Sequence, residues 1–224
     1  MWARYDFKTG EKEELIPHLS NVGEVARKLS LRLSDILGED LSSAAFFAGI
    51  FHDCFKVAFQ PSDIHNYSLR YNKLVFPYHE VMSSVFLANY IVRKFDLNLS
   101  YEDAKRVVKS VLLHHQGLRI ITLDNFWKGY CYVLNVIEYR GTSYVLSKIN
   151  EILNYFNLPT IDVLEKFIEF RTLEEFIRGG DEYDRFLTGV LMVADNYVVS
   201  RCLNKSRYGL LLEEIIDYIN LFCI

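Results

Sequence analysis

The sequence predicts an all-α fold, on three observations. Apolar residues recur at spacings of three and four along most of its 224 residues, the period of a helix face. Only four prolines interrupt that pattern, and half of the residues are hydrophobic, enough to bury a full core. No repeat, low-complexity tract or linker divides the chain, so residues 1–224 are expected to form one domain.

The opening WARYDF reads as a short strand or an extended lead-in. A first helix is expected from about Pro17, with Leu19, Val22, Val25, Leu29 and Leu33 as its inner stripe. The next begins near Asp40, an N-cap residue type, and runs through AAFFAGIFHDCF. Its small residues Ala44, Ala45, Ala48 and Gly49 allow a neighbouring helix to come close. Gln60 to Phe76, rich in Pro, Ser, Asp and Asn, reads as a loop. A third helix opens after Pro77 and carries His79; a fourth runs from about Tyr101 to His115. Leu118 to Gly141 fits either an aromatic-rich helix or a small irregular or hairpin insertion around YCYVLNVIEYRG. Further helices are expected over Ser143–Phe156, Ile161–Glu169 and Asp181–Leu203, with an amphipathic one closing the chain.

The formal net charge is −4, whereas a protein that held nucleic acid by bulk charge would be basic. Any polynucleotide must therefore be held locally or delivered by a partner. Cys54, Cys131, Cys202 and Cys223 are scattered without a Cys-x-x-Cys, which excludes a disulfide framework and a thiolate zinc site and fits a reducing cytoplasm. The first residues are too charged for a signal peptide. No apolar run approaches the ~20 residues of a membrane helix.

Polar residues on apolar faces carry the chemistry. His18 heads the first stripe, in register with Val22 and Val25. His52 and Asp53 lie about 100° apart on their helix, so both can face one cavity. His114 and His115 end the fourth helix, and Asp195 sits in the stripe Leu187, Leu191, Val199. A carboxylate buried among apolar residues needs a counter-charge. Taken singly, each histidine is more simply a hydrogen-bonded core residue, and Asp195 an arginine partner. Together, His18, His52, Asp53, His79, His114, His115 and Asp195 indicate metal. Imidazoles mixed with carboxylates suit Mn, Fe, Co, Ni or Zn better than Mg or Ca. The set is too large for one ion. Two ions roughly 3.5–4 Å apart, with Asp53 between them, would use every ligand. Against two aspartates they leave about two positive charges, an invitation to phosphate esters. Lys56, four residues after His52, projects to the same face and can neutralise charge on the scissile phosphate. His65, in the expected loop, is left as a surface residue.

This order of His, His-Asp and Asp on helices resembles the HD superfamily of metal-dependent phosphohydrolases, and an HD-domain helical bundle follows as the expected fold. HDCFK with Phe59-Gln60, YHEVMSS, LLHHQG and ADNYVVS, preceded by WARYDF, is similar to the HD nuclease of type I CRISPR interference over roughly residues 2–201. The resemblance implies one ion on His18, His52, Asp53 and Asp195, and a second on Asp53, His79, His114 and His115. It implies catalytic roles for Asp53 and Lys56. It also places Ser83, Ser84 and Ser200 near phosphate. The glycine common before that lysine is replaced by Phe55. The chain carries no P-loop, so a separate helicase subunit and a crRNA-guided complex are the expected partners, with single-stranded DNA as substrate and RNA as an open second. A nucleotide phosphohydrolase and a helical scaffold with a structural metal are the alternatives. Gly179-Gly180-Asp181-Glu182 matches a cyclase signature by letter but reads as a capped helix start.

Overall fold

The structure, a computed structural model, describes residues 1–93, 97–115 and 122–202. Among these, helices dominate, and the only sheet is an antiparallel pair of short strands, β1 (Trp2–Tyr5) and β2 (Lys12–Glu14). The helices are α1 (Leu15–Leu37), α2 (Ser42–Phe51), α3 (Ile64–Ser68), α4 (His79–Val92), α5 (Tyr101–Leu113), α6 (Leu123–Arg140), α7 (Thr142–Tyr155), α8 (Phe170–Ile177) and α9 (Glu182–Cys202). The all-α expectation holds, and the closing amphipathic helix lies outside the described residues.

α1 buries Leu15, Leu19, Val22, Ala26 and Leu29, and packs against α2 and α9. It ends at Gly38, whose left-handed φ of 72° suits glycine. The small residues of α2 do bring the helices together: a Cβ on Gly49 would lie 2.5 Å from the Gly23 Cα. α1 and α2 are thus in near backbone contact at the level where His18 and His52 project. Beyond α2 the helix does not continue through Asp53 as expected. Asp53 leaves the helical region at φ −114°, ψ 8°, and Cys54–Phe59 forms a 3-10 turn. Phe55, fully buried against Phe86, anchors that turn in the core.

α5 starts at Ser100, whose hydroxyl accepts the Asp103 N–H. It packs between α2, α4 and α9. Two ion-pair groups join it to the start of α9. Buried Arg106 holds Glu39 at 2.6 Å, Asp103 at 3.0 Å and Asp181 at 3.1 Å, and Lys109 holds Asp184 at 2.8 Å. Asp181 and Asp184 also accept each other's backbone N–H. The Gly-Gly-Asp-Glu stretch is therefore a capped helix start, and its anchor sets the height of Asp195 about three turns further on.

One open alternative is decided and two expectations are corrected. Residues 123–140 form a helix, capped by Thr122, which accepts the Asn125 N–H, and no hairpin forms there. Ile161–Glu169 is not helical apart from a single 3-10 turn at Glu165–Phe167. The Asn150 side chain bonds both the N–H and the C=O of Ile161, so neither group is free for a helix. The helix comes later, as α8, where Phe170, Leu173 and Phe176 follow a spacing of three. Finally, Gln60–Phe76 is more than a loop. It contains α3 and then runs alongside β1, where the Phe7 N–H meets the Asn72 carbonyl at 2.7 Å and the Leu74 N–H meets the Tyr5 carbonyl at 2.9 Å.

Candidate metal centre

The five histidines and two aspartates converge on one centre. α1 supplies His18, the end of α2 supplies His52 and Asp53, and the first residue of α4 is His79. The two residues after α5 are His114 and His115, and α9 supplies Asp195. Ligand atoms gather in two groups: Asp53, His79, His114 and His115, and His18, His52 and Asp195. Asp53 joins them. Its Oδ1 lies 2.6 Å from His79 Nε2 and 3.8 Å from His114 Nε2. Its Oδ2 lies 3.3 Å from both His18 Nε2 and His52 Nε2. Asp195 Oδ1 stands 3.4 Å from His18 Nε2 and 3.8 Å from His52 Nε2.

Neighbouring oxygens fix the direction of the rings. His52 Nδ1 donates to the Gly49 carbonyl at 2.7 Å, His79 Nδ1 to Phe76 at 2.6 Å and His114 Nδ1 to Val111 at 2.6 Å. His18 Nδ1 donates to the Glu13 carboxylate at 3.0 Å. In the neutral rings each Nε2 is then a bare lone pair aimed inward. The Nε2 atoms of His18 and His52 face each other at 3.3 Å, as do those of His79 and His115. Asp53 Oδ1 and His114 Nε2 are buried without a hydrogen-bond partner. Acceptors packed against acceptors, with orphaned buried atoms among them, is the arrangement that cations satisfy and that hydrogen bonds do not. The residues present fit two divalent ions.

Electrostatics divides the two groups. Burial pushes His52 down, but Asp53 and Asp195 outweigh it and raise the imidazole to about 10. His18 is likewise lowered by burial and raised overall, by Asp53, Glu13 and Asp195. Burial raises Asp53, yet the charges of His52, Lys56 and His79 hold it well below the usual carboxylate range. Asp195 is depressed in the same way: partial burial raises it, and His52 and His18 more than offset that. On the other side burial lowers His114, and burial with His114 and His79 beside it takes His115 to about 2. Burial pushes the Cys54 thiol up to about 12, so Cys54 is no nucleophile.

Lys56 sits on the 3-10 turn, paired with Asp53 Oδ2, and its ammonium lies 5.2 Å from the centre of the Phe76 ring. The centre opens into a cavity of about 680 Å3, whose lining includes His18, Lys56, His79, His115 and Asp195. The three serines are placed differently. Ser83 Oγ accepts the Phe55 N–H at 3.1 Å, which steadies the turn that carries Lys56. Ser84 and Ser200 donate to the carbonyls of Val81 and Tyr197. None of the three lines the cavity. His65 is exposed on α3.

Sequence reasoning missed three contributors. Glu13, on β2, orients His18; its only signal was a period of two in the short KEE stretch. Gln60 was noted only as part of a motif. Its side chain bonds the N–H and C=O of Trp2 and the Lys56 carbonyl, each near 3 Å, and so ties β1 to the turn that carries Lys56. Tyr78, just before His79, sits at φ 60°, and its ring packs on Gly129, where a Cβ would come within 2.6 Å. A left-handed tyrosine carries strain of about 1–3 kcal/mol, held here beside a candidate metal ligand.

A helical bundle that collects imidazoles and carboxylates around a solvent-reaching hollow, with a lysine at its edge, is that of a metal-dependent hydrolase. The HD domain family model matches residues 15–150, and the chain belongs to that family. No curated protein and no solved structure matches it. Asp195 lies beyond the matched segment and completes the ligand set from α9. No described helix is long and apolar enough to cross a membrane.

Proposed function

We propose that this chain is a two-metal nuclease that hydrolyses phosphodiester bonds of single-stranded DNA. In this proposal it acts in the cytoplasm in CRISPR interference, beside a separate helicase subunit and a crRNA-guided complex. The observation that carries the nuclease reading is buried Asp53, whose two oxygens each face a different cluster of imidazoles, behind the His18, Lys56, His79, His115 and Asp195 side chains that line the cavity. The CRISPR setting rests on the ordered motifs HDCFK, YHEVMSS, LLHHQG and ADNYVVS.

His18, His52 and Asp195 would hold one ion and His79, His114 and His115 the other, with Asp53 shared. The mixed nitrogen and oxygen donors favour Mn, Fe, Co, Ni or Zn over Mg. Bound ions would supply Lewis acidity, activating water and drawing charge from the attacking and leaving oxygens. The chain's own residues do the rest. The backbone carbonyls and Glu13 hold the imidazoles of His18, His52, His79 and His114 with Nε2 inward, so these donors are preorganised. Lys56, at the cavity edge, is within reach of a phosphate oxygen and stabilises the charge that builds there. Phe76 shields one side of that ammonium from water and strengthens its pull.

A second reading has one observation in its favour: about 680 Å3 also accommodates a mononucleotide, so a nucleotide phosphohydrolase would use the same centre. Purified protein loaded with Mn2+, Co2+ or Ni2+ decides between them. The nuclease reading expects cleavage of a single-stranded oligonucleotide, slowed on the order of 10²- to 10³-fold by Lys56→Ala with metal content retained. Turnover of mononucleotides with the oligonucleotide left intact would establish the second reading.

A further inference from the structure

We propose that the outer wall of the cavity is a docking strip for the unpaired bases of a single-stranded polynucleotide, running from Tyr5 through Phe7 and Tyr67 to Tyr71. This inference rests on the nuclease reading and adds to it the surface that would tell a polymer from a nucleotide.

The strip starts inside the site. Arg4, Tyr5, Lys73 and Phe76 line the cavity together with the metal ligands. Tyr5 ends β1 and Phe7 opens the turn that follows, with their ring centres 4.6 Å apart. Phe7 meets Tyr67 at 5.9 Å, and Tyr67 meets Tyr71 at 4.6 Å. The four rings thus form a continuous series that begins in the cavity lining at Tyr5 and continues outside it through Phe7, Tyr67 and Tyr71. None of them is buried, and Tyr71 is 52% exposed. They lie outside the hydrophobic core, so core packing does not account for them.

Their support is rigid. The backbone bonds between β1 and residues 72–74 fix Tyr5 and Phe7 against the segment that carries Tyr71 and Lys73, and Gln60 locks β1 to the Lys56 turn. Side-chain order of this kind makes a stacking surface effective, because little freedom is lost on binding. Charge chooses the occupant. Arg4 and Lys73 line the cavity, with the Asp6 carboxylate among them, and Arg70 is exposed next to Tyr71, so three cations stand beside the rings. A single strand presents both partners, bases for the rings and phosphates for the cations, and stacking on aromatic side chains tolerates any base. A strand whose scissile phosphate sat at Lys56 would lay its flanking nucleotides along this wall.

The test compares two substrates on the metal-loaded full chain: a single-stranded oligonucleotide of about fifteen nucleotides, and a dinucleotide too short to reach Tyr71. Tyr71→Ala should lower the ratio of their kcat/KM values about tenfold, the scale of one lost base–aromatic stack. Lys73→Gln should reduce the salt dependence of oligonucleotide cleavage by about 0.7 in the log–log slope. A purely structural role for Tyr71 would depress both substrates together and leave the ratio where it was. An unmoved ratio overturns the strip and leaves the nuclease intact. Hydrolysis of the dinucleotide or of mononucleotides by the parent, with the longer strand untouched, overturns the nuclease reading itself and the strip with it.

Discussion

Asp53→Asn tests the centre most directly, because it changes one charge and almost no volume. In the metal-free protein this carboxylate is 1% exposed and faces His18, His52, His79, His114 and Lys56. Removing one partner of a buried ion pair leaves uncompensated charge and costs about 3–5 kcal/mol. The lower half of that range is expected. Lys56 is partly exposed and can turn its ammonium to water, and His52 can release its proton once Asp53 no longer holds it. In a chain of this size each kcal/mol moves the melting temperature by about 2–4 °C, so the metal-free variant should melt roughly 6–16 °C below the parent. Metal widens the gap. Ions at a thousandfold excess over Kd stabilise the folded state by about 4 kcal/mol, and that increment should nearly vanish in the variant, since the amide keeps one uncharged oxygen and cannot serve both ions. Scanning calorimetry with and without Mn2+, together with elemental analysis of the dialysed protein, measures both effects. Two ions per chain and a parental metal increment in Asp53→Asn would refute the bridging role and with it the two-metal reading.

Further outcomes follow from the same geometry. Glu13→Gln should weaken metal binding about 10- to 100-fold while leaving the fold intact, because His18 loses the carboxylate that orients it; isothermal titration with Co2+ would show one of two sites weakened. Gly129→Ala should drive the Tyr78 ring away, displace the start of α4 and reduce affinity at the His79 side; unchanged Co2+ absorption would count against that coupling. Acidification should release the ion on His18, His52 and Asp195 first. Without metal those histidines are raised, His52 to about 10, whereas His114 and His115 are lowered, so protons compete for the first pair at higher pH. By the same sign the metal-free protein gains stability from His52 below its ordinary value of 6.5 and loses it as pH rises through about 10, while metal-induced stabilisation grows with pH; a single-step loss of both ions in a pH series of metal contents would contradict the division.

The candidate ligands that converge were legible because each is an anomaly in its own stretch of sequence. His18 among Leu19 and Val22, Asp53 after GIFH, and Asp195 between Leu191 and Val199 are polar residues where helical spacing demands apolar ones, and that demand can be read one helix at a time. Lys56 was legible for a related reason. Both a helix and a 3-10 turn bring a residue three places on back to the same side, so its pairing with Asp53 survived the early end of α2. What escaped notice depends on residues far apart in the chain. The helix expected at Ile161 is prevented by Asn150, eleven positions earlier. The segment ending at Phe76 has no period because its order comes from pairing with β1, not from its own composition. Glu13 is the sharpest case. Between Lys12 and Glu14 it has the composition of a solvated strand, and it turns inward only because β2 pairs with β1. Strand β1 is in turn held by Gln60, which lies beyond His52 and Asp53 in sequence. Metal ligands must be unusual where they stand, whereas the groups that orient them need only be ordinary residues brought to the right place.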